Sequence, residues 1–336
     1  MALATEYMGL ALPNPLVASA SPLSHTVDGV RRLADAGVGA IVLHSLFEEQ
    51  LREEDERDAQ LTDAGADSFA ESLSYFPSVA EDEAGPRVYL NLVQRAAAAV
   101  EIPVIASLNS VTPGGWTEYA RAMQDAGAAA IELNIYYLPV DPAMPGRDVE
   151  ARFVDVLLRV KAAVTVPVAV KLGPYFSSTG EMALRLDQAG ADGLVLFNRF
   201  LQPDIDAEAL AVVPAVALSR PADAGLARTW ISLLRGRVGA ALAASTGVDG
   251  PDDVAKYLLA GADVVMTASA LLRHGPEYAT TLLDGLRAWM ARKEFSTVAE
   301  LRGMLSVPSD ADAAAYVRTG YVTQMRAANR RSGTAW

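Results

Sequence analysis

The chain has 336 residues, 51% of them hydrophobic and 21% charged, with a net charge of −13 and no cysteine. Such a composition suits a globular protein with a large core, and its negative balance disfavours nucleic acid or an anionic membrane as a partner. Without cysteine there is no disulfide, thiolate nucleophile, cysteine-bound zinc or iron–sulfur cluster, and the spacing of His25, His44 and His274 fits no metal motif.

The N-terminus carries no charged-then-apolar leader, and no apolar run nears the roughly 18 residues of a membrane helix, so a cytoplasmic protein is expected. Residues 4–13 read as a short hairpin. Leu16–Ser19 is a first strand, followed by a helix with Thr26 as its N-cap and Gly37 at its end. Gly39–Leu43 is a second strand, ending at His44-Ser45. The acidic segment 46–86 is far longer than a common βα connection and reads as a loop over the active face. Helices and strands then alternate: helix 86–99, strand Val104–Ser107, helix Thr117–Asp125, strand Ala129–Leu133, helix 149–163, strand Val168–Val170, helix Thr179–Ala189 and strand Gly193–Phe197.

Residues 201–227 read as an irregular insertion with room for a small hairpin, before a helix over 228–235. The stretch 239–270 supplies the last two strands, Ala240–Ala244 and Val264–Met266. Pro251 opens the helix between them and Gly261 closes it. Residues 276–336 read as C-terminal helices, with Trp289 and Met290 on an apolar face.

Eight strands alternating with helices predict an α/β protein, a (β/α)8 TIM barrel forming one domain over 1–336. An open doubly wound sheet is the rival, although no Gly-x-Gly-x-x-Gly follows a strand. In such a barrel, polar residues at the carboxyl ends of strands carry the chemistry. Here they are Ser19, His44, Ser45, Ser107, Asn109, Asn134, Lys171, Asn198, Thr246-Gly247 and Ala268-Ser269. The small residues after the last two strands suit a phosphate site, or else serve only as tight turns. Lys171, at the mouth of an apolar barrel, needs an anionic ligand or an acid such as Glu132. Asn134 and Asn198 offer donors and acceptors to a planar polar ring, or else cap helices. A phosphate grip, a lysine and several amides at one mouth fit FMN, with the lysine stabilising negative charge on the reduced ring.

Five segments carry a resemblance: Asn14-Pro-Leu-Val-Ala-Ser19, Ala130-Ile-Glu-Leu-Asn134, Val166-Pro-Val-Ala-Val-Lys171, Ala191-Asp-Gly-Leu-Val-Leu-Phe-Asn198 and Gly261-Ala-Asp-Val-Val-Met-Thr-Ala-Ser269. In their order and spacing the chain resembles the class 1 dihydroorotate dehydrogenases, above all their bacterial dihydroorotate dehydrogenase-like relatives. The resemblance implies an FMN-bearing barrel acting in or near pyrimidine biosynthesis. Ala18, Ser19, Ser45, Asn109, Lys171, Thr246, Gly247, Ala268 and Ser269 would then contact the cofactor, and Asn134 and Asn198 the substrate. His44 stands where the family carries a lysine. Tyr137, in Ile135-Tyr136-Tyr137-Leu138-Pro139, stands where it carries the catalytic base; a phenol is a poor base near neutral pH but a serviceable acid.

These readings combine in an FMN oxidoreductase that moves two electrons between a small cyclic, dihydropyrimidine-like substrate and the flavin. Tyr137 or Tyr136 would exchange the proton and Lys171 would stabilise the reduced ring. Electrons would leave to a soluble acceptor or a separate acceptor protein, and the resemblance implies a homodimer. Two alternatives stand beside it. One is a flavin-free phosphate-binding aldolase or lyase using Lys171 as a Schiff base; the other is a flavin-binding subunit without turnover of its own.

Overall fold

Eight parallel strands close into a ring in the computed structural model, which describes residues 1–47, 86–109, 116–137, 139, 141–199, 204–213 and 217–332. The ring runs β3 (Leu16–Ala18), β4 (Ala40–Phe47), β5 (Val104–Asn109), β6 (Ala130–Asn134), β7 (Val168–Leu172), β8 (Gly193–Leu196), β11 (Ala241–Ala244) and β12 (Val264–Thr267). Because β12 pairs with β3, no sheet edge remains among these strands and the open doubly wound alternative is excluded. The expected (β/α)8 architecture is therefore the observed one.

Every strand residue of β3, β5, β6, β7, β8 and β12 is buried, as a sheet covered on both faces requires. Alternation divides them. Val17, Ala40, Val42, Ile105, Ala130, Ala169, Val195, Ala243, Val264 and Met266 pack together inside the ring, while their neighbours face the helices. The hairpin β1 (Thr5–Tyr7) and β2 (Leu10–Leu12) closes the amino end of the ring by adding Tyr7, Met8 and Leu12 to that inner cluster.

Helix signals acted as expected. The Thr26 hydroxyl accepts from Gly29 N at 3.1 Å and starts α1 (Val27–Asp35). The surrounding layer continues with α2 (Pro86–Ala99), α3 (Trp116–Asp125), α4 (Gly146–Ala163), α5 (Thr179–Gln188), α6 (Ala224–Leu234) and α7 (Pro251–Ala260). Helix α6 begins at Ala224 rather than at 228, because Ala224 and Ala227 are buried with Ile231 and Leu234 and extend its apolar face by a turn. The predicted small hairpin is β9 (Asp204–Asp206) with β10 (Ala211–Val213). After α8 (Ser269–His274), α9 (Tyr278–Arg292) buries Leu282, Leu286 and Met290, and half-buried Trp289 stacks on Phe295 at 5.8 Å. Then come α10 (Val298–Leu301) and α11 (Ala313–Ser332).

Several strands run further than the sequence suggests, β4 and β7 among them. Strand β7 continues through Leu172 and β4 through Phe47, so Lys171 and Ser45 are strand residues rather than loop residues. The remainder of the predicted 46–86 loop, residues 48–85, lies outside the described residues. No described helix is long and apolar enough to cross a membrane.

Candidate active site

Strand extension aims the lysine. Ala169 faces the interior, so Lys171 two residues on does too, and the same parity turns Glu132 inward after Ala130. Lys171 Nζ lies 3.2 Å from Glu132 Oε1 and 3.4 Å from Ser19 Oγ. Lys171 is 6% exposed and Glu132 1%, so the two charges hold each other out of water. The second Glu132 oxygen, Oε2, has no hydrogen-bond partner among the described residues, and neither has the buried Tyr7 hydroxyl. Burial, and then the Glu132 charge, push the Tyr7 phenol well above its ordinary range and keep it neutral.

The turn after β11 is built for close approach. Thr246 has φ of 82° and Gly247 of 72°, both left-handed, and the threonine pays for this strain with hydrogen bonds. Its hydroxyl donates to Phe197 O at 3.0 Å and its carbonyl accepts from the Tyr257 hydroxyl at 2.6 Å. A Cβ on Gly247 would lie 2.7 Å from Ala224 N and 2.9 Å from Arg220 O, so only glycine fits. Ser219 Oγ accepts from Gly247 N at 3.1 Å and meets Ser269 Oγ at 2.9 Å, tying the turns after β11 and β12 together. Arg273 donates to Ser219 O and pairs with Asp249 at 2.6 Å, fixing the outer side of that junction.

Lys171, Ser19, Phe197, Asn198, Ser219, Thr246, Gly247, Ala268 and Ser269 line one open pocket at the carboxyl ends of the strands, with about 510 Å³ of empty space continuous with solvent. It lies at the end of the barrel where ligands of this fold bind. On its flank Asn198 Nδ2 donates to Asn134 Oδ1 at 2.7 Å.

The other predicted residues stand outside that pocket's lining. Ala18 is buried in β3, and Asn109 ends β5 beside Asn134. A bulge in β4 sets two residues against one between Val42 and Ser45. It brings Ser45 Oγ to 2.8 Å from Ser107 Oγ. It also turns His44 onto His25 and Tyr89, with ring centroids 4.0 and 5.1 Å away. Burial, aided by His25, lowers the His44 pKa to about 4, so His44 is neutral near pH 7. Tyr136 and Tyr137 follow β6 half-buried. The Tyr137 hydroxyl donates to Met144 Sδ at 3.0 Å and the Arg152 guanidinium lies 4.2 Å over its ring.

The family model for dihydroorotate dehydrogenase matches residues 2–290. The chain belongs to this family. It is 27% identical over 314 residues to the catalytic subunit of dihydroorotate dehydrogenase B (NAD(+)) of Methanothermobacter thermautotrophicus, covering 90% of this chain and 98% of that protein. It is 27% identical over 278 residues to dihydroorotate dehydrogenase A (fumarate) of Limosilactobacillus reuteri, covering 80% and 87%. With the NAD-dependent dihydropyrimidine dehydrogenase subunit PreA of Escherichia coli K12 it shares 24% over 320 residues, covering 90% and 76%. An oxidoreductase of the dihydroorotate dehydrogenase family is therefore the class to which the barrel mouth must be fitted.

Ser219, Phe197 and Arg273 join the site although their sequence context did not single them out. The available signal was Ser219-Arg220-Pro221-Ala222-Asp223, a helix-start pattern inside the irregular insertion at the active end. Glu132 entered the sequence reading only as a possible partner of Lys171, and that is the contact it makes.

Proposed function

We propose that this chain is an FMN-dependent oxidoreductase that moves two electrons between the flavin and a small cyclic, dihydropyrimidine-like substrate. The observation that carries the reading is the single pocket joining Lys171, Asn198 and the two small-residue turns. The donor set fits the cofactor. Hydroxyls of Ser219 and Ser269 and the bare Gly247 turn offer a neutral, close-fitting phosphate cradle. A buried ammonium, that of Lys171, lines the same pocket.

In this reading Thr246, Gly247, Ala268 and Ser269 would hold the phosphate. Ala18, Ser19, His44, Ser45, Asn109 and Lys171 would contact the rest of the cofactor. The flavin, when bound, supplies a two-electron acceptor. Lys171 keeps a fixed positive charge beside it, oriented by Glu132 and Ser19 so that no reorganisation is needed during reaction. Asn198 commits one donor to Asn134 Oδ1, which leaves Asn134 its amide donors and Asn198 its carbonyl for a ring with imide-like edges. Tyr137, whose hydroxyl donates to a weak thioether acceptor, or its neighbour Tyr136, exchanges the substrate proton.

The chain has no cysteine and so carries no iron–sulfur cluster of its own; its electrons pass to a soluble acceptor or a separate acceptor protein in the cytoplasm. The test is direct. Freshly purified protein should show a flavin absorbance spectrum that bleaches anaerobically with dihydroorotate or a dihydropyrimidine. Colourless protein that does not take up added FMN would overturn the proposal.

A further inference from the structure

Strand register sets a carboxylate one layer behind the ammonium of the pocket. Parallel pairing puts Glu132 of β6 level with Ala169 of β7, and Ala169 level with Gly193 of β8. Ala169 packs inside the ring, so these three form one inward layer in which only Glu132 has a long side chain. Lys171 follows two residues after Ala169, a layer nearer the mouth. It lines the pocket, whereas Glu132 does not. The carboxylate thus stands 3.2 Å behind Nζ, on the side of the hairpin whose Tyr7 hydroxyl lies against Gly193.

The groups around this pair leave its balance unchanged. Burial, and then Glu132 and Asp263, push the Tyr7 phenol up and keep it neutral. Tyr89 is kept neutral by burial too, and its hydroxyl donates to Ser107 O at 3.1 Å. Asp263 is already paired with Arg235 at 3.0 Å and Arg302 at 2.9 Å. Among the described residues no acid lines the pocket, and its other cation, Arg199, is exposed and donates to Ala217 O at 2.6 Å.

A ligand beside Lys171 therefore meets two charges rather than one. The ammonium is nearer and attracts an electron-rich ring; the carboxylate behind it repels that ring. Both are buried, where charges act on one another more strongly than in water. No described residue donates a hydrogen bond to Glu132 Oε2, so the carboxylate charge is met by Lys171 alone among them. A hydride from the substrate carries two electrons and a proton to the flavin, and the second hydrogen of the substrate leaves as a proton. The ring thereby gains one negative charge, and the fixed charges beside it decide how firmly it keeps its electrons.

We propose that Glu132 is a positioning residue that sets the reduction potential of the flavin. It holds Lys171 in place, and its own charge keeps the potential below the value that a lone ammonium would impose. The proposal rests on the FMN reading given above.

Anaerobic reductive titration against a dye of known potential tests it, on FMN-loaded wild type, Glu132→Gln and Glu132→Asp. Glutamine keeps the shape and removes the charge; aspartate keeps the charge. At the potential where wild type is half reduced, Glu132→Gln should favour reduced flavin about tenfold or more, a rise of about 30 mV or more for a two-electron couple. Glu132→Asp should stay close to wild type. A glutamine variant that holds its flavin at or below the wild-type potential would overturn the proposal. So would an aspartate variant that rises as far as the glutamine one, because packing rather than charge would then be the cause. If Glu132→Gln sheds its flavin, Lys171→Met and Lys171→Met/Glu132→Gln repeat the comparison without a lone buried ammonium. The double variant should again lie above the single, and equal potentials would refute the role of Glu132. Wild-type protein that takes up no FMN at all would instead remove the reading on which the proposal rests.

Discussion

Replacing Lys171 with methionine removes a charge while nearly keeping the volume, which separates electrostatics from packing. Lys171 and Glu132 are 6% and 1% exposed, with Nζ and Oε1 3.2 Å apart. At that separation an effective dielectric of about 20 gives an attraction of about 5 kcal/mol. The substitution forfeits it and leaves a carboxylate in the barrel whose second oxygen already lacks a partner among the described residues. Breaking such a pair from one side costs about 3–5 kcal/mol, whereas removing both charges is nearly neutral. Lys171→Met should therefore lose about 4 kcal/mol, and Lys171→Met with Glu132→Gln should recover more than half of it. Urea unfolding of the cofactor-stripped proteins, free of ligand linkage, reads this as a midpoint drop of about 1 M in the single variant and a much smaller one in the double. A single variant as stable as wild type, or a double variant no better than the single, would refute the buried ion pair as the cause. In the cofactor-loaded protein both variants should slow flavin reduction, because both lack the cation.

Gly247→Val must find room where Ala224 N stands 2.7 Å from the new Cβ, at a φ of 72°. Flavin content, read as the ratio of visible to ultraviolet absorbance, should collapse while helical circular dichroism persists; full retention of flavin would remove that turn from the cofactor site. The His44 pKa is lowered to about 4, below the reference of about 6.5, so its contribution to stability is complete above the higher value and is lost as pH falls toward the lower. Urea midpoints of wild type should fall more steeply than those of His44→Phe between pH 7 and pH 4, and parallel curves would count against the cause given. Tyr136→Phe and Tyr137→Phe, made separately, identify the proton-exchanging phenol: the correct one should slow reduction by substrate by roughly 10²–10⁴-fold at unchanged flavin content. If neither slows it, both lose the role. Tyr257→Phe removes the 2.6 Å donor to the Thr246 carbonyl and should cost about 1–2 kcal/mol in urea unfolding; no loss would deny that bond its part in holding the turn.

Much of the ring was legible because its strands are short apolar runs punctuated by turn chemistry. Gly37, Gly127, Gly190 and Gly261 each take a positive φ at the end of a helix, where a side chain would be strained. Pro251 at the start of α7 and Thr26 at the start of α1 mark the opposite ends. The strand-end residues Lys171, Asn198, Thr246, Gly247, Ala268 and Ser269 were legible as a group for the same reason, since period-two alternation and strand termini are local properties.

Local pattern could not say where strands β4 and β7 end. Each carries polar residues short of its end, His44-Ser45 in β4 and Lys171 in β7, and a polar residue reads as loop unless a neighbouring strand pairs with it, as Asn134 does with Lys171 and Ser107 with Ser45. Nor could it reveal the β4 bulge that turns His44 toward His25, because register exists only between strands.

Composition, glycine and proline punctuation and apolar periodicity determined that this chain alternates eight strands with helices and carries polar strand tips, since those constraints act within a few residues. The tertiary structure alone decided that Lys171 pairs with Glu132, 39 positions away, and that Ser219 bridges to Ser269 across 50. Such contacts follow from the order in which strands close the ring. Closure is a property of the whole chain rather than of any window along it.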